Sequence, residues 1–147
     1  MTIALQTSDI AKQITANFPD AVTETSHTFI VVAPKSLLSV ASFLKTTRGL
    51  EFNYLSSVTS VDYYSYFEVV YHLVSLKHNH STVLKTRVNG RENPTVPSLV
   101  SLYRSADLQE REIFDLMGVR FEGHPNMKRI VLWEGFQGYP LRKDYLQ

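Results

Sequence analysis

The sequence predicts an α+β domain in which helices pack on a mixed or antiparallel sheet, followed by an extended C-terminal tail. Two stretches with apolar residues on one helical face lie before residue 50. Three long runs of β-branched and aromatic residues follow between residues 52 and 88. The last roughly thirty residues keep neither the helical nor the strand period. We therefore expect a two-layer domain over residues 1–117 and an extended tail over residues 118–147.

Composition limits the classes of protein that fit this sequence. Its 147 residues fit one domain, and 44% hydrophobic with 20% charged residues is ordinary for a globular protein. The formal net charge of +1 creates no overall field toward nucleic acid or an acidic membrane. The sequence has no cysteine, which excludes disulfides, thiolate nucleophiles and cysteine-ligated zinc or iron–sulfur clusters. No stretch approaches the ~18 apolar residues of a membrane span, and the N-terminus lacks a signal-peptide pattern.

Two helices are predicted in the first third of the chain. The first begins at a cap formed by Ser8 or Asp9 and runs to about Asn17. Pro34 opens the second helix, and Gly49 is expected to end it as a left-handed residue just past the last turn. The residues of the second helix expected to face the core are Leu37, Leu38, Val40, Ala41 and Leu44.

The predicted strands are separated by polar turns. A hairpin loop is expected over residues 77–81, and Asn89-Gly90 is a further turn signal. Pro94 and Pro97 mark a break, after which a short helical turn is expected over residues 98–103. The expected strands span residues 21–24, 28–32, 52–62, 66–77 and 82–88.

A third helix is predicted over residues 108–117, directly before the tail. Asp107 is its expected N-cap, with Glu110 three residues later in a capping box. Gly118 stands where a left-handed residue ends a helix. The tail beyond it cannot satisfy its own backbone groups or bury its aromatic rings alone. It must therefore lie along its own domain or along another protein.

The charged residues of the third helix invite a catalytic interpretation. Glu110 and Glu112 diverge by about 200° on a helix, so they cannot act as a facing pair of carboxylates. Arg111 stands one turn from both Asp107 and Asp115 and can pair with either. An ion-pair network that fixes this helix against a partner is therefore favoured over general acid–base catalysis.

Metal and nucleotide sites find little support. His78 and His80 alternate as metal ligands on a strand do, but no carboxylate or third ligand stands nearby at ligand spacing. A solvated hairpin loop is the favoured interpretation of this pair. The sequence contains no G-x-G-x-x-G, no P-loop and no G-x-S-x-G elbow.

The tail also carries two basic pairs, Lys128-Arg129 and Arg142-Lys143, among aromatic residues. Such a pattern could bind single-stranded nucleic acid by stacking and phosphate contacts. Acidic residues interrupt the basic surface, however, and the net charge is near zero. Arginine and aromatic residues are equally typical of a protein–protein interface.

The motifs that begin in the third helix go further. Residues 110–119 read EREIFDLMGV, residues 121–125 read FEGHP and residues 128–131 read KRIV. The sequence then closes with GYPLRKDY at residues 138–145. These ordered motifs resemble the thirty-kilodalton subunit family of respiratory complex I, in its bacterial form. The resemblance covers about the last forty residues by motif, and the earlier part by length, element order and composition.

The resemblance implies a place in a complex rather than a reaction. It implies a non-catalytic peripheral-arm subunit of a proton-pumping NADH:quinone oxidoreductase, which scaffolds the large quinone-site subunit during electron transfer from NADH to quinone. It implies no cofactor on this chain, with NADH, FMN, iron–sulfur clusters and quinone in the parent complex. The expected partners are the large quinone-site subunit and other peripheral-arm subunits, without nucleic acid. The expected location is the cytoplasmic side of the membrane, with membrane contact only through the complex.

Other interpretations remain open at this point. Ferredoxin- or F420H2-linked dehydrogenases and membrane-bound hydrogenases contain, by resemblance, an equivalent subunit. A free-standing binding module belongs to another class, and a hydrolase that uses His124 to a third. For the scaffold interpretation, the candidate partner-binding residues are Glu110, Arg111, Glu112, Asp115, His124, Pro125, Lys128, Arg129, Arg142, Lys143, Asp144 and Tyr145.

Overall fold

The structure is a computed structural model that describes residues 2–145. The strands in this range are β1 (Ile3–Ala4), β2 (Val22–Thr25), β3 (Ile30–Val32), β4 (Tyr54–Asp62), β5 (Tyr66–Ser75), β6 (His80–Asn89), β7 (Thr95–Pro97) and β8 (Arg120–Glu122). The helices are α1 (Thr7–Asn17), α2 (Leu37–Thr46) and α3 (Ala106–Met117), and a 3-10 turn over Pro34–Ser36 precedes α2. Across this described range, no helix combines the length and the apolar character that a bilayer crossing requires.

The main sheet is mixed, as its class predicts. Its strands lie in the order β2-β3-β6-β5-β4, and β1 pairs with the start of β6 on the same side as β3. The β4–β5–β6 meander and the β2–β3 pair are antiparallel, whereas β3 and β1 run parallel to β6. A second, parallel pair joins β7 to β8. The predicted α+β class with a mixed sheet packed by helices is confirmed.

One face of the main sheet carries the core. Every second residue of β5 from Phe67 to Leu73 is fully buried and clusters with apolar residues of all three helices. The opposite face is polar and has no helix on it to cover its charges. There, Glu68 pairs with Lys85 at 3.1 Å and with Arg87 at 2.8 Å. The alternation of the sequence thus builds two layers, with helices on one side of the sheet.

The first two helices differ in detail from the prediction. Helix α1 begins at Thr7, whose hydroxyl donates to the Ser26 carbonyl, so neither Ser8 nor Asp9 caps it. Leu38 is partly exposed, while the other four predicted residues of α2 are buried. Gly49 does not end α2, because the helix stops at Thr46 and the chain turns back. The N–H of Phe52 then satisfies the Leu44 carbonyl at 2.9 Å, which replaces the expected glycine cap.

Helix α3 starts earlier than predicted and has a different cap. It begins at Ala106, so Asp107 lies inside the helix and the predicted capping box was wrong. The Ser105 hydroxyl donates to the Leu55 carbonyl of β4 at 2.8 Å instead of capping the helix. The predicted end is confirmed, since Gly118 has a φ of 76° and its N–H donates to the Phe114 carbonyl at 2.8 Å.

Three short strands escaped the sequence pattern. Strand β7 lies where the two prolines predicted a break, and it pairs with β8 inside the predicted tail. This pairing buries Val96, Val119 and Phe121 in the core. The third, β1, pairs with the start of β6, which includes His80 from the predicted hairpin loop. Helical hydrogen bonds from Leu102 and Tyr103 to Leu99 confirm the predicted turn before α3.

Two buried tyrosines provide a test of this core. The Tyr71 hydroxyl is buried without a hydrogen-bond partner among residues 2–145, whereas the Tyr103 hydroxyl donates to the Phe52 carbonyl at 2.6 Å. An unpaired buried polar group costs free energy, so Tyr71→Phe should raise the free energy of unfolding by about 1 kcal/mol. Tyr103→Phe, the matched control, should lower it by about 1 kcal/mol. Urea denaturation of both variants measures the difference, and equal effects would contradict this account.

Candidate functional site

The chain beyond β8 folds back along α3. We call residues 123–145 the C-terminal segment; within it the structure has no helix or strand. The segment is nevertheless attached to the domain, since the Leu141 N–H donates to the Leu116 carbonyl at 2.9 Å. The Lys143 N–H likewise donates to the Asp62 carboxylate at 2.9 Å. The extended stretch therefore lies, over much of its length, on its own domain.

Asp115 is the principal anchor of this segment. Its side chain is fully buried, and Oδ2 accepts hydrogen bonds from the backbone N–H groups of Ile130, Val131 and Leu132 at 3.1, 2.7 and 2.8 Å. Its Oδ1 accepts from Arg129 at 2.6 Å. Burial alone would raise the pKa of Asp115, but these amides and Arg129 together hold the pKa below its usual value. The anionic carboxylate thus fixes a loop of three successive residues.

Two arginines complete this loop. Arg129 also donates to the carbonyls of Asp115 and Gly138, at 2.9 and 2.8 Å. Arg111 donates to the carbonyls of Lys128 and Arg129, both at 3.2 Å. The prediction that Arg111 pairs with Asp107 or Asp115 was therefore wrong. Asp115 already has four donors, and Arg111 instead satisfies backbone carbonyls of the loop.

Arg142 closes the C-terminal end of α3. Its Nε donates to the Met117 carbonyl at 2.6 Å, and its Nη1 donates to the Arg91 carbonyl at 2.8 Å. A cation at this end of a helix is favoured by the helix dipole and by the free carbonyls of the last turn. Gly118 permits the contact, because a Cβ there would lie 2.6 Å from the Arg142 guanidinium and 2.7 Å from the Tyr139 ring.

A second buried carboxylate holds the end of the segment. Asp62 accepts two hydrogen bonds from Arg91, at 2.8 and 2.7 Å, and one from the Lys143 N–H. Arg91 also pairs with Asp144 at 3.0 Å, and the Tyr64 hydroxyl donates to the Lys143 carbonyl at 3.1 Å. Arg91 keeps the pKa of Asp62 far below its ordinary value. Sequence reasoning missed Asp62 and Arg91, since only the fold brings them beside residues 143–144.

Glu110 points inward. It is fully buried, with Oε1 accepting from the Ser98 hydroxyl at 2.6 Å and Oε2 from the Leu99 N–H at 2.9 Å. Burial raises the pKa of Glu110, although both hydrogen bonds and His124 act in the opposite direction. Its carboxylate therefore links α3 to the turn after β7 and acts within the chain. Glu112 is exposed, as the predicted divergence of the two carboxylates requires.

His124 braces the first turn of α3. Its Nε2 lies 3.1 Å from the Asp107 carbonyl oxygen and 3.1 Å from Asp107 Oδ1. Its Nδ1 accepts from the Asn126 N–H at 2.9 Å, which assigns the proton to Nε2. The imidazole thus has structural partners on both nitrogens. Pro125 and Lys128 are exposed beside it.

The apolar side chains of the segment face outward. Ile130, Val131, Trp133 and Leu141 expose 39%, 58%, 69% and 59% of their surfaces. Their loop is held from the inside by Asp115, while Tyr145 stacks on Phe136 with ring centroids 6.5 Å apart. The charged groups of this surface are therefore largely satisfied within the chain, and apolar groups are presented to the outside. Such an exposed patch is typical of an interaction surface.

The histidine pair lies elsewhere. The rings of His78 and His80 stack with centroids 5.3 Å apart, near the far end of the β5–β6 hairpin. His78 Nε2 lies 2.9 Å from Glu51, and His80 Nε2 lies 3.0 Å from the Leu50 carbonyl oxygen. Among residues 2–145, no group of three or more potential metal ligands gathers here or at any other place.

Comparison with known proteins identifies the family. The model for the family described as "Respiratory-chain NADH dehydrogenase, 30 Kd subunit" matches residues 30–147. The chain belongs to this family. A subunit of the NADH-quinone oxidoreductase from Dinoroseobacter shibae is 43% identical, over 99% of this chain and 69% of its own length. The subunit of the same name from Roseiflexus sp. is 38% identical, over 97% of this chain and 85% of its own length.

A solved structure shares the fold of this thirty-kilodalton family member. A polypeptide of the membrane-bound sulfane sulfur reductase, an archaeal respiratory membrane complex, matches with a TM-score of 0.75 and 25% identity. The match covers 94% of this chain and 84% of that polypeptide. The predicted family, and with it the predicted function as a subunit of an NADH-quinone oxidoreductase, is confirmed by these relatives.

The role of Asp115 can be tested in the isolated chain. Asp115→Asn keeps the size of the side chain but removes its charge and places an amide group among N–H donors. We expect the free energy of unfolding to fall by about 2 kcal/mol, as for lost hydrogen bonds to a charged group. Hydrogen exchange at residues 130–132 should accelerate. The exposed Asp20→Asn is the control, and an unchanged exchange pattern in Asp115→Asn would contradict the anchor role.

Glu110 predicts a pH dependence. Because its folded pKa is raised above the unfolded value of about 4.3, the folded state binds more protons in that window and stability falls as pH rises. Glu110→Gln cannot titrate, so its stability relative to the wild type should increase between about pH 4 and 7. Urea denaturation across this range measures the difference. Parallel curves for the two proteins would show that Glu110 does not titrate as described.

Proposed function

We propose that this chain is a non-catalytic peripheral-arm subunit of a proton-pumping NADH:quinone oxidoreductase, and that it scaffolds the large quinone-site subunit. Membership of the thirty-kilodalton subunit family supports the parent complex. The C-terminal segment supports the scaffolding role. Electron transfer from NADH to quinone then takes place on other subunits, to which this chain gives a fixed position.

One observation carries the docking role of the segment. Arg111, Arg129 and Arg142 direct guanidinium donors to backbone or carboxylate groups of the same chain. The outward surface beside them is apolar, with Val131 and Trp133 more than half exposed. A nucleic-acid surface would need the opposite arrangement, with the cationic groups free for phosphates. A protein partner that buries the apolar side chains fits this surface better.

The same proposal assigns the remaining functions to the parent complex. NADH, FMN, iron–sulfur clusters and quinone would be bound by its other subunits. The chain would lie on the cytoplasmic side of the membrane as a peripheral protein, attached through its partners. Contacts at Lys143, Asp144 and Tyr145 would extend the docking surface to the end of the segment. There, Arg91 and Asp62 already hold the backbone in place.

A related complex is the second candidate. The likeness to a polypeptide of an archaeal sulfane sulfur reductase favours it, because that respiratory complex has a different name and chemistry. An equivalent subunit of a ferredoxin- or F420H2-linked dehydrogenase, or of a membrane-bound hydrogenase, would use the same docking surface. Purification of the native complex through this chain distinguishes them. Flavin- and NADH-binding subunits in the eluate support the first candidate, and their absence with an intact complex supports the second.

The docking surface can be tested by a substitution that leaves its loop intact. Val131→Gln keeps the backbone N–H that Asp115 accepts but removes exposed apolar surface. Loss of one well-buried interface side chain costs more than about 1 kcal/mol, so we expect assembly to weaken about tenfold. Leu76→Gln is the matched control, because Leu76 is 64% exposed at a distant hairpin turn. Co-purification of the other subunits with each tagged variant measures assembly.

The unfolding free energy of both variants should stay within about 0.5 kcal/mol of the wild type, as for surface substitutions. Equal assembly of Val131→Gln, Leu76→Gln and wild type would reject the apolar loop as the docking surface. Truncation after Gly123 removes the whole segment and should abolish assembly. Because it also uncovers Asp115 and the end of α3, that variant requires a separate measurement of folding.

A further inference from the structure

The outer edge of β4 is only partly covered. Strand β4 is the last strand of the main sheet, and α3 lies against it. Two side chains of α3 and its cap satisfy main-chain groups of this edge. Ser105 donates to the Leu55 carbonyl at 2.8 Å, and the Gln109 side-chain oxygen accepts from the Val58 N–H at 2.8 Å. These contacts close the first half of the edge to other strands.

The second half of the edge is open. The β4–β5 hairpin closes with the Tyr63 N–H donating to the Tyr66 carbonyl at 2.9 Å. Hydrogen-bonded and non-hydrogen-bonded pairs alternate in an antiparallel ladder. Ser60, opposite Val69, therefore belongs to a non-hydrogen-bonded pair and directs both its N–H and its carbonyl outward. Within residues 2–145 nothing bonds to these two groups or to the Val58 carbonyl.

An apolar groove runs beside this open edge. It has a volume of about 330 Å³ and lies between β4 and α3, and Leu141 of the C-terminal segment forms part of its wall. The other apolar residues that line it are Val58, Ile113, Leu116 and Met117. The Ser60 hydroxyl is shielded from solvent at this position, without a hydrogen-bond partner in the part of the protein that the structure describes. Backbone donors and acceptors thus stand next to a slot for an apolar side chain.

We propose that this edge receives an extended strand of a partner subunit. Such a strand would pair with the main-chain groups of Val58 and Ser60 and insert an apolar side chain into the groove. Glu112 lies on the groove and has no ion-pair partner within residues 2–145, so the strand carries a lysine or arginine beside that apolar residue. The inference rests on the proposed function, because it requires that the protein works in a complex of several subunits.

Charge distinguishes a partner from a second copy of this chain. Two copies that paired through β4 would form a two-fold interface in which each patch meets itself. Such pairing would bring two Glu112 carboxylates to the same strand pair, and like charges there are unfavourable. A different polypeptide that supplies a cation has no such penalty. The occupant is therefore a basic and apolar strand of another subunit.

The test uses two substitutions at Ser60 in the full-length protein. Ser60→Pro removes the outward N–H, and proline is tolerated on an edge strand where that group faces away from the sheet. Ser60→Ala is the matched control, because it keeps the N–H and removes only the hydroxyl. We expect Ser60→Pro to weaken assembly of the complex about tenfold and Ser60→Ala to change it less than about twofold. Thermal unfolding of each isolated variant confirms that the fold is retained.

Hydrogen exchange gives an independent readout with the wild-type protein. The Ser60 amide should exchange rapidly in the isolated protein and at least about tenfold more slowly in the assembled complex. Normal assembly of Ser60→Pro, or an unchanged exchange rate at Ser60, overturns the strand proposal while the scaffold function stands. Failure of the wild-type protein to co-purify with any subunit overturns the scaffold function itself. A wild-type dimer that Ser60→Pro abolishes would assign the edge to a second copy instead.

Discussion

The buried charge of Asp115 is the constraint on which the C-terminal surface depends. A carboxylate withdrawn from water needs donors for its lone pairs, and here three successive amides and Arg129 supply them. The loop at residues 130–132 therefore wraps around α3 with its N–H groups directed inward. Once the backbone is fixed in this way, Ile130 and Val131 have to face outward. Exposed apolar surface is thus a consequence of satisfying one buried anion.

This arrangement lowers the cost of recognition. A segment without helix or strand would ordinarily lose conformational entropy when it binds, and that loss subtracts from affinity. Here Asp115 holds the middle of the segment, and Asp62 with Arg91 holds its end. Arg142 between them closes the last turn of α3. A partner therefore meets an apolar surface whose backbone is already ordered by its own domain.

Local signals in the sequence were sufficient for some features and insufficient for others. The strands around Tyr71 follow from their β-branched and aromatic runs, and Gly118 follows from the conformation that ends a helix. Pairings between distant residues left no such signal. Strand β7 depends on β8, and Asp62 meets Lys143 only after the sheet has formed. The family motifs pointed to the right region, although the partners expected for Arg111 were wrong because tertiary donors reached Asp115 first.

The order of charged residues in α3 has a geometric explanation. Successive helical residues point about 100° apart, so four neighbouring positions address different surroundings. Glu110 turns into the core toward Ser98, Arg111 reaches the loop after β8, and Glu112 faces the groove beside β4. Asp115, one turn beyond Arg111, meets the same loop again. The helix therefore joins the core, the C-terminal segment and the open sheet edge, and a change in its rotation would disturb all three together.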